Sequence, residues 1–322
     1  MTDKLAFKTA MQFSYGVPAD MAAGVTRLVA NNPGPFTFKG TNTYLVGMRR
    51  LTVIDPGPDD VEHRAAILKA AQGRPIEHIV VTHTHRDHVD GLAALAAVTG
   101  ARTAGYGRRS APGQGDDAAP SPSGDAFTAI FEPDLVLADG DRLECGDHAL
   151  TAIHTPGHAP DHLCFSVEAG RGTEVLISGD HVMAWNTSVV APPEGRMADY
   201  LASLERLMGR AEGVFLPGHG GRVEDPQRLV KAYLLHRRWR EQAIVAAIKD
   251  GRDGKPATIR TIVPVVYPEL DARLLTAATL SVQAHVEHLM ERGLVSSQPP
   301  QASGDAIWDR ALCHASAPDA RP

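Results

Sequence analysis

Cysteine is scarce in this chain of 322 residues. The three cysteines, Cys145, Cys164 and Cys313, form neither a CxxC pair nor a repeated spacing, so the sequence predicts no disulfide framework. An odd number of unpatterned cysteines is typical of reduced thiols in a cytoplasmic protein, where free cysteine usually packs as a small apolar residue. We therefore expect no cysteine ligand or nucleophile.

Long apolar runs are also missing. No stretch approaches the ~20 apolar residues needed to cross a bilayer, and Met1–Met21 contains no continuous apolar segment of the kind that a secretory signal requires. The formal net charge of −6 gives no overall electrostatic reason to expect binding to nucleic acid or to an anionic membrane. The sequence thus predicts a soluble, cytoplasmic protein with no membrane partner.

The order of β-rich and helical segments predicts two domains, residues 1–226 and 227–322. In the first, short apolar runs are followed by Gly or Pro breaks and helical segments, which is typical of a layered α/β domain. The second is mostly helical, with candidate helices Gln227–Lys249, Thr258–Pro264 and Leu274–Arg292, and a small hairpin formed by Gly293–Val295 and Ala306–Trp308. Three helices and a hairpin are the outline of a winged-helix module.

One segment within the first domain differs in composition. Residues 104–134 are rich in Gly, Pro, Ser and charge, so they cannot bury enough surface to fold alone. We expect a long surface loop there, either a lid over a site or a simple insertion.

The segment Thr82–His88 carries most of the chemistry in the sequence. It places three histidines and one aspartate within six residues, directly after the apolar run Ile79–Val81. Imidazole binds divalent zinc strongly, and carboxylate oxygens complete such sites. A spacing of two puts His83 and His85 on one side of an extended chain, and Asp87 and His88 follow the turn. The alternative is a surface histidine cluster without a metal.

Three further turns share one pattern, in which a strand ends at a Gly turn that presents one ligand. They present His158 in a TPGH segment, Asp180 in an SGD segment and His219 in a PGHG segment. Seven ligands are enough for two metals, and Asp180 can bridge them because a carboxylate has two oxygens.

The order HxHxDH, TPGH, SGD, PGHG resembles the metallo-β-lactamase superfamily. The resemblance implies a four-layer αββα sandwich. It also implies that His83, His85 and His158 hold one metal, that Asp87, His88 and His219 hold the other, and that Asp180 bridges them. True zinc β-lactamases have another residue where this chain has Asp180, so antibiotic hydrolysis is not expected. The carboxylate instead resembles glyoxalase II-like thioesterases and the phosphodiester-cleaving branches.

Further segments narrow the resemblance. Gly40–Gly47, Ile54–Gly57 and Gly179–Val182 with Thr187 and Val190 are similar to the beta-lactamase-like protein 2 family. That family carries a C-terminal winged-helix-like α+β domain, which the helical pattern also predicts here. Its best-known mitochondrial member is an endoribonuclease that prefers single-stranded RNA, so the resemblance implies RNA cleavage as a candidate activity.

The expected function is hydrolysis that depends on two Zn²⁺ ions per chain, with iron or manganese as alternatives. The nucleophile is expected to be a hydroxide held between the metals, with Asp87 as the catalytic group that accepts its hydrogen bond. The first candidate substrate is a phosphodiester, single-stranded RNA in particular. The alternative is a small-molecule thioester, lactone or other carboxylic ester.

Five residues are secondary candidates for orienting ligands or lining the pocket. Asp55 and His162 are candidates from their positions beside ligand turns. The alternatives are that Asp55 only forms a turn and that His162 only packs or contacts solvent. Asn186, Thr187 and Tyr200 are candidates by family resemblance. His181 is expected to face away from Asp180, because neighbours on a strand point in opposite directions.

A cluster of arginines raises the question of nucleic acid. The chain from residue 226 onward has 13 Lys and Arg against 10 Asp and Glu, whereas the preceding part has 19 against 28. Arg237, Arg238 and Arg240 lie on the predicted long helix, where they could contact phosphate, form a solvated helix face or contribute to a homodimer interface. No RRM, KH or aromatic stacking motif appears.

Overall fold

The computed structural model describes residues 7–107, 131–169, 173–250, 256–298 and 307–314. The first half of the chain forms a seven-stranded sheet in sequence order. Its strands are β1 (Ala19–Ala22), β2 (Val25–Val29), β3 (Asn42–Val46), β4 (Leu51–Ile54), β5 (Ile76–Val80), β6 (Arg102–Gly105) and β7 (Leu135–Val136). Strands β1 to β4 are antiparallel, and β4 to β7 are parallel. The carboxyl ends of parallel strands share one sheet edge, and the histidine-rich segment follows β5 there.

A second sheet of five strands follows in the chain, in the order β12-β11-β10-β9-β8. Its strands are β8 (Arg142–Cys145), β9 (His148–His154), β10 (Leu163–Ala169), β11 (Thr173–Gly179) and β12 (Val214–Pro217). Only β11 and β12 are parallel. Three of its strands end next to predicted ligands, since His158 follows β9, Asp180 follows β11 and His219 follows β12.

The two sheets pack face to face and are covered by helices on their outer faces. Tyr44, Val80, Phe165 and Leu216 belong to the apolar core between the sheets. Helices α1 (Val61–Ala71) and α3 (Leu92–Thr99) cover the first sheet, and α2 (Arg86–Val89) lies between them in the chain. Helices α4 (Met197–Leu207) and α5 (Pro226–Asp250) cover the second sheet. This is the predicted αββα sandwich, and the fold class is confirmed.

The C-terminal module contains α6 (Ile259–Val266), α7 (Leu275–Glu291) and the hairpin of β13 (Val295–Gln298) with β14 (Ala311–His314). A capping box of Thr258 and Thr261 begins α6, because their side chains satisfy backbone N–H groups that the first turn leaves unpaired. The carboxyl-terminal part of α5 joins this core through Ile244 and Ile248, while its amino-terminal part packs on the second sheet through Val230 and Tyr233. The division at residue 226 stays a prediction, and α5 contributes to both cores.

Two expectations for local structure need comment. The second hairpin strand is Ala311–His314, not Ala306–Trp308, because Ile307–Asp309 forms a 3-10 turn. The indole of Trp308 donates a hydrogen bond to Gln283 Oε1 on α7, which holds that segment against the helix. Residues 108–130 of the predicted 104–134 loop lie outside the described residues. Ala104 and Gly105 at its start belong to β6, which pairs with β7 directly after its end.

Candidate metal centre

The histidine-rich segment connects the two sheets. After β5, the backbone carbonyl of Thr82 accepts a hydrogen bond from the Leu163 amide of β10, with an N···O distance of 2.7 Å. His83 then lies at the junction, His85 precedes the first turn of α2, and that short helix carries Asp87 and His88. The strand end and the helix together aim four side chains at one region.

One group of ligand atoms comes from His83, His85 and His158. The Nε2 atom of His83 lies 2.7 Å from Nδ1 of His85, and Nε2 of His158 lies 3.0 Å from the same atom. Tetrahedral zinc with bonds of about 2.0–2.1 Å places its ligand nitrogens roughly 3.3 Å apart. The three buried imidazoles therefore have nearly the spacing that a single cation requires.

A second group comes from Asp87, His88 and His219. The Nε2 atoms of His88 and His219 are 3.3 Å apart, and each lies 3.3 Å from Asp87 Oδ2. This near-equilateral triangle has the dimensions of three ligands around one ion.

Asp180 lies between the two groups. Its Oδ1 atom is 3.6 Å from His88 Nε2, and its Oδ2 atom is 3.2 Å from His219 Nε2 and 3.8 Å from His158 Nε2. Asp180 Oδ1 is buried and has no hydrogen-bond partner among the described residues. A buried carboxylate oxygen without a partner is costly, and a bridging position between two cations would satisfy it.

Four histidines have their Nδ1 atoms hydrogen-bonded within the protein, which leaves Nε2 to face the centre. His158 Nδ1 donates to the Val189 carbonyl at 2.6 Å, His219 Nδ1 to the Gly40 carbonyl at 3.2 Å, and His83 Nδ1 lies 2.9 Å from Thr82 Oγ1. Such partners fix the ring tautomer and orientation in metal sites. His85 differs, because it presents Nδ1.

Asp55 provides the partner for the fourth histidine, His88. Its Oδ2 atom lies 2.8 Å from His88 Nδ1, and its carboxylate also accepts hydrogen bonds from the amide and the hydroxyl of Thr82. Asp55 has a left-handed backbone, with φ of 53°, and its side chain is almost fully buried. The structure thus places Asp55 as the residue that orients His88.

His162 supports Asp180 from below. Its Nε2 atom accepts the backbone N–H of Asp180 at 3.2 Å, while its Nδ1 atom donates to Thr155 Oγ1 at 2.8 Å. His181 is fully buried beside both His162 and Tyr200. It therefore packs under the site and does not face it.

The other secondary candidates occupy two different places. Tyr200 is fully buried and donates its hydroxyl to the His181 carbonyl, so it lies beneath the site and does not line an opening. Asn186 and Thr187 are half-buried in the segment after β11, where the Thr187 amide donates to Asn186 Oδ1.

The sequence analysis missed several supporting groups. Thr41 Oγ1 donates to Asp87 Oδ2 at 2.8 Å, and Thr84 Oγ1 donates to Asp161 Oδ2 at 2.7 Å. The alternation of threonine with histidine in Thr82–His85 was a usable signal for Thr84. The carbonyls of Gly40 and Val189 belong to the backbone and leave no trace in residue type.

Glycine is required at two of the ligand turns. A Cβ atom at Gly157 would overlap the backbone of Tyr200, and the residue has a φ of +133° that side chains rarely adopt. A Cβ atom at Gly218 would overlap Asp180 Oδ1 and lie 2.8 Å from His88 Cε1. These glycines let separate backbones approach the centre closely.

Burial and neighbouring charges divide the ligand histidines into two protonation classes. Burial, followed by the effect of nearby imidazoles, holds the pKa of His83 and of His85 well below the usual value, so both are neutral. Burial also opposes protonation of His88 and His219, but the surrounding aspartates outweigh it and raise the pKa of His219 to about 10. Because ligation needs neutral imidazole, cation binding would displace protons from His88 and His219.

Two of the three clustered arginines on α5 do not lie on a solvated or phosphate-contacting face, which corrects the expectation for Arg237 and Arg240. Arg237 is 3% exposed and Arg240 is 7% exposed. Arg237 donates to the Ser188 carbonyl and Arg240 to the Val266 carbonyl. Of these three arginines, Arg238 alone is exposed, and it pairs with Glu205. Arg237 is buried against the segment that contains Ser188, and Arg240 is buried against the C-terminal module, which the charge pattern alone did not reveal.

Comparison with known proteins agrees with this architecture. Residues 36–219 match the metallo-beta-lactamase superfamily, and residues 258–308 match the beta-lactamase associated winged helix domain. The chain belongs to the metallo-β-lactamase superfamily, whose members are generally hydrolases.

Individual relatives are consistent with the narrower resemblance. A Beta-lactamase-like protein 2 homolog of Drosophila melanogaster is 30% identical over 282 residues, which cover 85% of this chain and 90% of that one. The atrochrysone carboxyl ACP thioesterase of Claviceps purpurea is 26% identical over 252 residues, which cover 76% and 72%. The crystal structure of a beta-lactamase domain protein from Burkholderia ambifaria superposes with a TM-score of 0.74 at 23% identity and covers 95% of each chain. The resemblance to the beta-lactamase-like protein 2 family is confirmed.

Two of the remaining expectations concern the thiols and membranes. Cys164 is buried as expected, and burial raises the pKa of its thiol to about 12. Among the described residues, no helix combines the length and apolar character that spanning a bilayer demands. The cytoplasmic location and the homodimer stay predictions.

Proposed function

We propose that this protein is a hydrolase that depends on two divalent cations, with zinc as the metal, and that it cleaves thioesters or other carboxylic esters. The observation that carries the proposal is the convergence of seven ligand atoms from four turns into two triangles joined by Asp180. Imidazole and carboxylate in this ratio suit zinc, and iron or manganese are the alternatives.

His83, His85 and His158 would hold one cation, and Asp87, His88 and His219 the other. Two cations bound here would lower the pKa of a shared water molecule and stabilise negative charge on the attacked group. Asp180 would bridge the pair through its two carboxylate oxygens.

Asp87 is the proposed catalytic group of the protein itself. Its side chain is 21% exposed, compared with 9% for Asp180 and 0% for His88. It therefore offers a carboxylate to the open side of the centre, while the Thr41 hydroxyl fixes its orientation from behind. In this position Asp87 can accept a hydrogen bond from the attacking water molecule and orient it.

The choice of a carboxylic ester rests on two further observations. Arg237 and Arg240, which were candidates for contacting phosphate, are buried and donate hydrogen bonds to backbone carbonyls. They therefore cannot bind a phosphodiester. Relatives that match much of the chain include proteins named as thioesterases. Single-stranded RNA, which the sequence analysis placed first, becomes the second candidate. Its support is the similarity to Beta-lactamase-like protein 2 homologues.

The test is a set of parallel assays on purified, zinc-loaded protein. The substrates are an acyl-thioester panel, simple esters and lactones, a β-lactam, and a short labelled single-stranded RNA. We expect thioester turnover that disappears after removal of metal by a chelator and returns with added zinc, and no β-lactam turnover. Asp180→Asn should abolish this turnover, whereas Asp199→Asn, which removes only an ion pair with Arg196 in the first turn of α4, should not. Full turnover by metal-free protein would refute the proposal, and cleavage of RNA alone would move the substrate to the second candidate.

A further inference from the structure

The loop of residues 183–190 lies between the metal centre and helix α5. On the inner side, its Val189 carbonyl accepts the hydrogen bond of His158 Nδ1 at 2.6 Å, and its Ser188 hydroxyl donates to the Asp180 carbonyl at 2.5 Å. The loop thus fixes one ligand of the first group and the ligand that joins both groups.

Helix α5 holds the same loop from its outer side. The Tyr233 hydroxyl lies within hydrogen-bonding distance of the Met183 and Asn186 carbonyls. One helical turn further on, Arg237 Nη2 donates to the Ser188 carbonyl at 2.5 Å. Tyr233 and Arg237 therefore occupy the face of α5 that meets the loop.

Arg237 is an unusual residue for structural support alone. It is 3% exposed, its Nε atom has no partner, and it has no carboxylate partner within the described part of the chain. Its guanidinium lies 5.1 Å from the centroid of the Tyr200 ring. This cation–π interaction offsets part of the desolvation energy that burial of the charge costs. A buried charged group is weak evidence for stability, because a whole buried ion pair can often be replaced by apolar residues of similar volume without loss of stability. The presence of arginine at this position is therefore better explained by its hydrogen bond to the 183–190 loop than by a contribution to stability.

We propose that Arg237 and Tyr233 are positioning residues for the metal centre. They fix the 183–190 loop so that the Val189 carbonyl keeps His158 in the ligating tautomer and orientation. Helix α5, which also forms part of the winged-helix core, thereby becomes a component of the active site. This inference rests on the metal-binding part of the proposed function and is independent of the substrate.

The test compares Arg237→Met, Arg237→Lys and Tyr233→Phe with the control Arg238→Met. Arg238 is the neighbouring arginine on α5, but it is exposed. Zinc affinity and stoichiometry are measured by competition with a chromophoric chelator, and the thermal unfolding of the metal-free proteins is measured separately. We expect Arg237→Met to lose about 10- to 100-fold in zinc affinity while its metal-free Tm stays close to that of the wild type. Arg237→Lys, which retains one donor for the Ser188 carbonyl, should lose less, and Arg238→Met should match the wild type.

Two outcomes would overturn the proposal. One is unchanged zinc affinity in Arg237→Met and Tyr233→Phe. The other is a metal-free Tm that falls in step with the affinity, since that indicates general destabilisation. Tyr233→Phe removes only one hydroxyl and keeps the test available if Arg237→Met does not fold. The zinc-binding assay contains no substrate, so its result does not depend on the proposed substrate. Wild-type protein that binds zinc but cleaves no thioester would refute the proposed substrate without refuting this inference.

Discussion

Replacement of Asp55 by asparagine tests the link between an orienting carboxylate and the metal centre. The substitution preserves shape, and asparagine tolerates the left-handed backbone at this position at least as well as aspartate. It does change the hydrogen-bond chemistry. The Asp55 carboxylate accepts from the Thr82 amide, the Thr82 hydroxyl and His88 Nδ1, and an amide group cannot accept all three.

Both orientations of the new amide are unfavourable. With its oxygen on the Thr82 amide, its NH₂ group faces His88 Nδ1, which must then give up its proton and place it on Nε2, the ligating atom. The Thr82 hydroxyl, 2.9 Å from His83 Nδ1, would also turn toward that ring and favour the wrong tautomer there. With the amide reversed, its NH₂ group opposes the Thr82 N–H. Each orientation therefore weakens metal binding.

The expected loss is about 10- to 100-fold in zinc affinity, or about 1.4–2.7 kcal/mol, the usual effect of removing an outer partner of a ligand histidine. Zinc titration against a chromophoric chelator measures it, together with kcat/KM for the thioester. Asp90→Asn, which breaks only an exposed pair with Arg86 next to α2, is the matched control. Wild-type affinity at both sites in Asp55→Asn would refute the reasoning.

Two further predictions concern stability. Burial, as the main cause, lowers the pKa of His63 and of His285 to about 4, so between pH 6.5 and 4 the unfolded chain binds more protons than the folded one. The free energy of unfolding of metal-free protein should therefore fall as the pH decreases through this range, by up to about 1.4 kcal/mol per pH unit for each histidine. Urea denaturation at several pH values measures this free energy, and a value that does not change with pH would contradict the prediction. Gly157→Ala should cost at least ~2 kcal/mol, because alanine combines an unfavourable φ with overlap on the Tyr200 backbone; a Tm equal to that of the wild type would show that the turn can relax.

The candidate ligand set could be proposed from sequence because each residue type and its turn are local signals. His158, Asp180 and His219 each follow an apolar strand at a glycine turn, and the structure brings all of them to one place with the Thr82–His88 segment. Asp55 and His162 were open alternatives, since a turn aspartate and a packed histidine look the same in sequence as an orienting group. The hydrogen-bond partners that distinguish them lie far away in the chain.

The features that sequence analysis missed depend on tertiary packing. Strands β1 and β2 were not predicted, because four or five residues of mixed character carry little periodicity. The helical pattern of α5 was read correctly, but the burial of Arg237 and Arg240 depends on what covers that helix. The carbonyls of Gly40 and Val189 illustrate the general limit, because the sequence does not show where a backbone oxygen will point.

The division of the ligands between the two sheets has a consequence for assembly. His83, His85, Asp87 and His88 come from the half of the chain that builds the seven-stranded sheet, whereas His158, Asp180 and His219 come from the half that builds the other. Neither half of the chain contains all seven candidate ligands. A cation that binds only when the two halves are packed together therefore stabilises the packed state by mass action. Metal retention would then report on tertiary assembly itself, and a species whose halves have come apart would release its ions before its strands unravel.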